Sequence, residues 1–236
     1  MIYINYLIVI YSEKKMRSFV LKCLSILTVL AFGAYVPAYA AGDATVSAQA
    51  TANVEHFELE KPHTQIVFIG NHLGFSHSYG RFMDFDGEFT LDHDDLSQSA
   101  VNVVIDAASL DMGHEKWNAH LQNEDFLDVE KFPEIRFTSD AVTLVDEKTA
   151  QVSGVLSMHG IDKQVTLDVT HNKSGVHPFN GKYIAGFSAE ATIRRSDFGM
   201  TFGLPLLADE VVIKISVEGI RRDENAADDS EKNTKD

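Results

Sequence analysis

"HTQIVFIGNHLGFSHSYGRFMDFDGEFTL", His63 to Leu91, decides the fold. Thr64, Ile66 and Phe68 share one face of an extended segment and Gln65, Val67, Ile69 and Asn71 the other, a period of two that specifies a β-strand. A polar turn follows, and the aromatic stretch from Gly80 to Leu91 reads as one long strand. Asp86-Gly87 has the composition of a tight hairpin turn, but Phe85 and Phe89 on either side favour a bulge within that strand.

The same period recurs along the chain. Val101, Val103 and Ile105 carry it, as do Ile135 and Phe137, Val152 to Met158, Val165 to Val169, Tyr183 to Ile193, and Val211 to Val217. About eight strands result, and the turn signals "DHDD", "DEK", "HGIDK", "NKSG" and "FNGK" mark their connections. One segment departs from the pattern. In "GHEKWNAHLQNEDFL", Trp117 and Leu121 stand four apart on one face of a short surface helix, and Phe126 and Leu127 follow. Many evenly spaced strands and a single helix imply an antiparallel all-β domain, and periodicity leaves barrel or sandwich open.

The two ends have a different character. Lys14, Lys15 and Arg17 precede an apolar run from Phe19 to Phe32, and Ala38-Tyr39-Ala40 has the small-x-small form of a cleavage site. Residues 1–40 therefore read as a signal peptide cut after Ala40 for export to the periplasm. An uncleaved anchor fits less well, because the apolar run is short. Met16 is an alternative start, which would leave residues 1–15 outside the protein. Residues 41–55 are small and polar and read as a linker, 56–221 as the folded unit, and 222–236 as a disordered acidic tail. The single cysteine, Cys23, falls inside the signal, so the exported chain must rely on a hydrophobic core rather than disulfides.

Loss of the leader removes four basic residues and Glu13, which takes the formal charge from −15 to −18. Such a surface repels phosphate backbones and excludes nucleic acid as a partner. The chain lacks a GxSxG elbow and a phosphate-binding glycine loop, and Ser76, His77 and Ser78 are adjacent only in sequence, so no enzymatic activity is expected. Ten histidines raise metal or haem binding as the alternative function, although none sits in an HExxH arrangement and no metal site is assigned. What remains is apolar surface with a polar mouth. An eight-stranded barrel is just wide enough to fill with side chains or to hold one small ligand.

"HTQIVFIGNHLG", "YGRFMDFDGEF", "NEDFLDVEKFPEIRFTSD", "VSGVLSMHGIDKQVTL", "RSDFGM" and "ADEVVIKISVEG", in this order, resemble the YceI-like family of exported polyisoprenoid-binding proteins over Phe57 to Gly219. The resemblance implies an eight-stranded lipocalin-like antiparallel barrel without catalytic function or cofactor, whose cavity holds an isoprenoid-type lipid such as a quinone or polyprenyl amphiphile. Transient membrane contact and a homodimer are compatible with it. Matched onto this chain, the positions expected to bind ligand are Ile66, Phe68, His72, Tyr79, Phe82, Phe89, Val103, Ile105, Trp117, Leu121, Phe126, Phe137, Leu156, Phe187, Ile213 and Ile215. His72, His77 and Tyr79 would stand near the mouth, where a polar head group lies. Gly70 stands where relatives carry larger apolar residues.

Overall fold

The structure, a computed structural model, describes residues 53–222. The expectations for the leader, most of the linker and the tail after Arg222 lie outside the described residues.

Eleven strands form one antiparallel sheet: β1 Val54–Leu59, β2 Gln65–His72, β3 Ser76–Phe82, β4 Phe85–Asp92, β5 Ala100–Asp106, β6 Leu110–Asp111, β7 Glu134–Leu144, β8 Thr149–Met158, β9 Ile161–Val176, β10 Tyr183–Arg194 and β11 Glu210–Arg221. Helix α1, Glu115–Gln122, lies between β6 and β7. Three strands of the wall are broken in two, β1 with β2, β3 with β4 and β5 with β6, so the wall is an eight-stranded meander. β11 closes it by pairing with β2 (Ile213 opposite Phe68) and, beyond the break, with β1 (Leu59 opposite Gly219). The periodicity thus ends in a closed barrel, which removes most sheet edges.

The first break has a local cause. Pro62 has no N–H for the ladder, and Lys61–His63 turn as a 3-10 helix capped by the Glu60 carboxylate, which accepts from the His63 N–H at 2.9 Å. Thr64 then rejoins the wall, and its Oγ1 accepts from the Glu218 N–H at 3.3 Å.

Three details differ from the sequence reading. Gly80 to Leu91 is interrupted, but at Met83-Asp84; Asp86 and Gly87 sit in unbroken register opposite Val104 and Val103. "NKSG" is not a turn, since β9 runs through it and absorbs one extra residue, Asn172, as a bulge against β10. Val54 and Glu55, expected in the linker, belong to β1, and Arg222, expected in the tail, is tied to Glu58 and Glu88 by ion pairs of 2.7 and 2.9 Å.

Both ends of the barrel are packed. At one end α1 and the segments Asn123–Pro133 and Arg195–Asp209 cover the strand ends, with Leu110, Leu127, Ile135, Phe198 and Met200 buried beneath them. Near the other end Phe57 stacks on Phe89 at 4.8 Å between ring centroids, and Phe187 meets Phe89 edge-on at 5.5 Å. This aromatic group belongs to β1, β4 and β10, which leaves the β7 to β9 side of that end to line an opening.

Candidate functional site

Between these two packed regions runs a cavity of about 850 Å³. It lies toward the upper limit of the range of roughly 300–1,000 Å³ in which small-molecule sites fall. Its walls are the inward-facing residues of the alternating strands: Ile66 and Phe68 on β2, Val103 and Ile105 on β5, Phe137 on β7, Leu156 on β8, Phe187 on β10, and Ile213 and Ile215 on β11. Phe82, Phe89, Leu121 and Phe126 also line it. His72 and Trp117 stand at the helix end with their rings 6.2 Å apart, and Trp117 is half exposed. The helix therefore contributes Trp117 and Leu121 to the cavity itself rather than only pressing on the outside of the strands.

Tyr79 is the exception among the expected residues. It lies outside the cavity and is 63% exposed, opposite Ile69 on the outer face. The reason is alternation: on β3 Ser78, Gly80 and Phe82 face inward, so a residue three before Phe82 cannot. His77 shares the outer face with Tyr79, which separates its ring from Ser76 and Ser78.

Three inward-facing glycines shape the lumen. A Cβ at Gly80 would overlap the Phe68 ring and the Met112 sulfur, one at Gly219 the Phe89 ring, and one at Gly154 the Phe137 ring. Each ring lies against bare backbone instead of projecting into the space. At Gly70 a Cβ would meet nothing within 4 Å, so that glycine adds room at the wall.

Polar groups on the lining are few and sit mainly at the ends. Arg195 is buried, and donates from Nε to the Ala208 carbonyl at 2.9 Å and from Nη1 to the Met200 carbonyl at 2.8 Å; its guanidinium lies 5.7 Å over the Phe126 ring. Burial pulls its pKa down while the Asp209 carboxylate opposes that shift. At the opposite end the His171 ring lies 5.2 Å from Phe187, and its Nε2 is 2.8 Å from Ser174 Oγ. Sequence reasoning missed Arg195, Met112, His171 and Ser174 as lining residues. Alternation after Val165, Leu167 and Val169 points to His171, but Ser174 faces inward only because of the bulge at Asn172.

Of the other histidines, His93 and His120 also line the cavity, the latter bonded to Asp125 at 3.2 Å. His93 bonds Glu55 at 2.8 Å, His63 bonds Glu60 at 2.8 Å and His159 Nδ1 lies 2.8 Å from the Phe198 carbonyl. Among the described residues no three His, Cys, Asp or Glu side chains converge as a metal site.

Comparison with known proteins gives a consistent picture. The model of the YceI-like domain family matches residues 57–219. A UPF0312 protein of Pseudomonas putida strain GB-1 is 40% identical over 186 residues, covering 78% of this chain and 96% of its own. Among solved structures, Burkholderia cenocepacia BcnA superposes with a TM-score of 0.62 at 24% identity, covering 68% of this chain and 98% of its own. A polyisoprenoid binding domain from Saccharophagus degradans, implicated in plant cell wall breakdown, superposes at 0.54 and 13% identity, over 70% of this chain and 98% of its own.

Proposed function

The chain belongs to the YceI-like family, and from that premise we propose that it is an exported carrier that holds an isoprenoid-type lipid, quinone-like or polyprenyl, inside its barrel. The observation that carries this reading is the cavity of about 850 Å³, whose wall along β2, β5, β7, β8, β10 and β11 is built from Ile, Val, Leu and Phe. Such a wall matches a flexible hydrocarbon chain and offers little to a polar solute. The name of the Saccharophagus degradans relative agrees with it.

Energetics set what the cavity must do. At about 0.8 kcal/mol per buried CH₂, a tail of a few tens of carbons would gain more than 20 kcal/mol against water. That exceeds the ceiling of roughly 18–21 kcal/mol for non-covalent affinity. The competitor is a bilayer, which is as apolar as the cavity, so exchange runs near balance and cargo is both taken up and released.

The test is native mass spectrometry of the protein from the periplasm of its host, followed by extraction of whatever leaves it. A stoichiometric isoprenoid adduct on a chain beginning at Ala41 is the expected result. A bare chain that cannot be loaded with a prenylquinone or a prenol overturns the reading.

A further inference from the structure

The wall of the cavity carries one hydrogen-bonded polar pair where alternation alone would not allow two inward neighbours. His171 and Ser174 are three apart on β9, and on a regular strand they would point to opposite faces. The extra residue Asn172 shifts the register, so that His171 stands opposite Phe187 and Ser174 opposite Ala185, both on the inner face. Bulges commonly serve to re-aim a side chain near a functional site. Beside the pair, Val169 on the same strand and the Phe187 ring, at 5.2 Å, are apolar, while the His171 N–H donates to the Lys148 carbonyl of the adjoining loop at 2.8 Å.

Resting on the carrier reading, we propose that His171 and Ser174 form the head-group subsite of this cavity, and that it takes an uncharged oxygen head, a carbonyl or a hydroxyl, in preference to a phosphate. The bond between His171 Nε2 and Ser174 Oγ, 2.8 Å long, can run in either direction. When the imidazole donates, the serine hydroxyl is free to donate to a carbonyl; when the serine donates, its oxygen accepts from a hydroxyl. The pair therefore adapts to either head without a charge.

The surroundings argue against an anion. Of the three loops at this end, Asp92 to Ser99 and Asp146 to Thr149 contribute His93, Leu96, Ser99 and Asp146 to Thr149 to the lining, and the third, His177 to Lys182, contributes none, although it carries Lys182. The first two carry Asp92, Asp94, Asp95, Asp146 and Glu147 against the single Lys148 and the His93 ring, which is bonded to Glu55. The Asp146 carboxylate is held below the ordinary carboxylate range by the Lys148 N–H and by Thr149, and the Ser97 hydroxyl and N–H do the same for Asp95. Phosphate recognition calls for converging Arg or Lys donors, and the charged lining of this mouth is Asp146 and Glu147 against Lys148 alone.

The experiment uses lipid-stripped protein and three probes of equal prenyl chain length: a prenylquinone, a prenyl diphosphate, and a hydrocarbon without a head. Binding is followed by native mass spectrometry in competition and by the fluorescence of Trp117, the single tryptophan, which lines the cavity. The wild type should bind the quinone at least about tenfold more tightly than the diphosphate. Ser174→Ala and His171→Phe should each weaken quinone binding by about three- to tenfold, the worth of one hydrogen bond, and leave the hydrocarbon unchanged. Equal binding of quinone and diphosphate, or variants that bind quinone as the wild type does, would overturn the subsite while leaving the carrier intact. If no probe binds, the carrier reading itself falls and the subsite with it. Should His171→Phe not fold, Ser174→Ala alone decides, since it removes only the hydroxyl.

Discussion

At Gly80 the absence of a single carbon controls how much of the lumen is free. The Phe68 ring occupies the place a Cβ would take, with Met112 beside it, so the ring lies along the strand instead of across the cavity. Gly80→Val should displace that ring, at a cost of about 1–3 kcal/mol for overpacking. Denaturant titration would show that loss, and lipid-loading assays a shorter maximum chain length. The double change with Phe68→Ala should restore the length, whereas a single variant that loads like the wild type would mean the ring finds room elsewhere. Parity in the sequence also fixes which residues share a wall. Phe82 and Tyr79, three apart, cannot both face inward on one strand, so the outward position of Tyr79 was legible. Phe82 and Phe89, seven apart, both face inward because the break at Met83-Asp84 resets the phase. That break was not legible: Met83-Asp84 carries no turn signature, while Asp86-Gly87 nearby does, yet stays in register.

Among elements, the segment from Arg195 to Asp209 depends most on a few polar bonds. It leaves β10 through a 3-10 turn, covers the helix end of the barrel, and returns to β11. Its base is tied by the Arg195 N–H to the Asp209 carbonyl at 3.0 Å, and by the Ser196 N–H and hydroxyl to the Asp209 carboxylate at 2.9 and 2.7 Å. The Ser196 hydroxyl and N–H hold the Asp209 pKa below its ordinary value, with smaller help from Arg195 and Arg194. A carboxyl depressed in the folded state stabilises the fold above its unfolded pKa, and that stability is lost as pH falls through the folded pKa. Stability should therefore decline below about pH 4, the ordinary aspartate range, as this group and the similarly depressed Asp95, Asp111 and Asp146 take up protons. Asp209→Asn should lower stability at neutral pH and flatten that acid decline; melts of both proteins between pH 7 and pH 3 would reveal an unchanged slope if the carboxylate plays no part. "RSDFGM" was recognisable as a marker of this region in the sequence, but its task was not. The carbonyls that Arg195 satisfies come from Met200, Leu207 and Ala208, and no local pattern announces a contact made across a folded-back segment.

For the whole molecule, closure of the barrel fixes a finite volume, and finite volume makes a chain-length rule. Each CH₂ moved from bilayer to cavity leaves one apolar medium for another, so the term of about 0.8 kcal/mol per CH₂ against water cancels. Partition between vesicles and protein should thus be nearly independent of prenyl length while the tail fits within the cavity of about 850 Å³. Past that length the extra carbons must leave through a mouth, and those reaching water restore the full penalty, roughly 4 kcal/mol for a five-carbon unit. Exposed Phe75, Leu206 and Trp117 at the helix end and Phe179 at the other could shelter only a little of it. Measured with a series of prenylquinones differing by one unit, the partition coefficient should run flat and then fall by about two to three orders of magnitude for each added unit. A coefficient that rises steadily with length would mean that the chain is gripped more tightly than in a membrane. The protein would then act as a trap for its lipid, and a carrier that must also release cargo could not work that way.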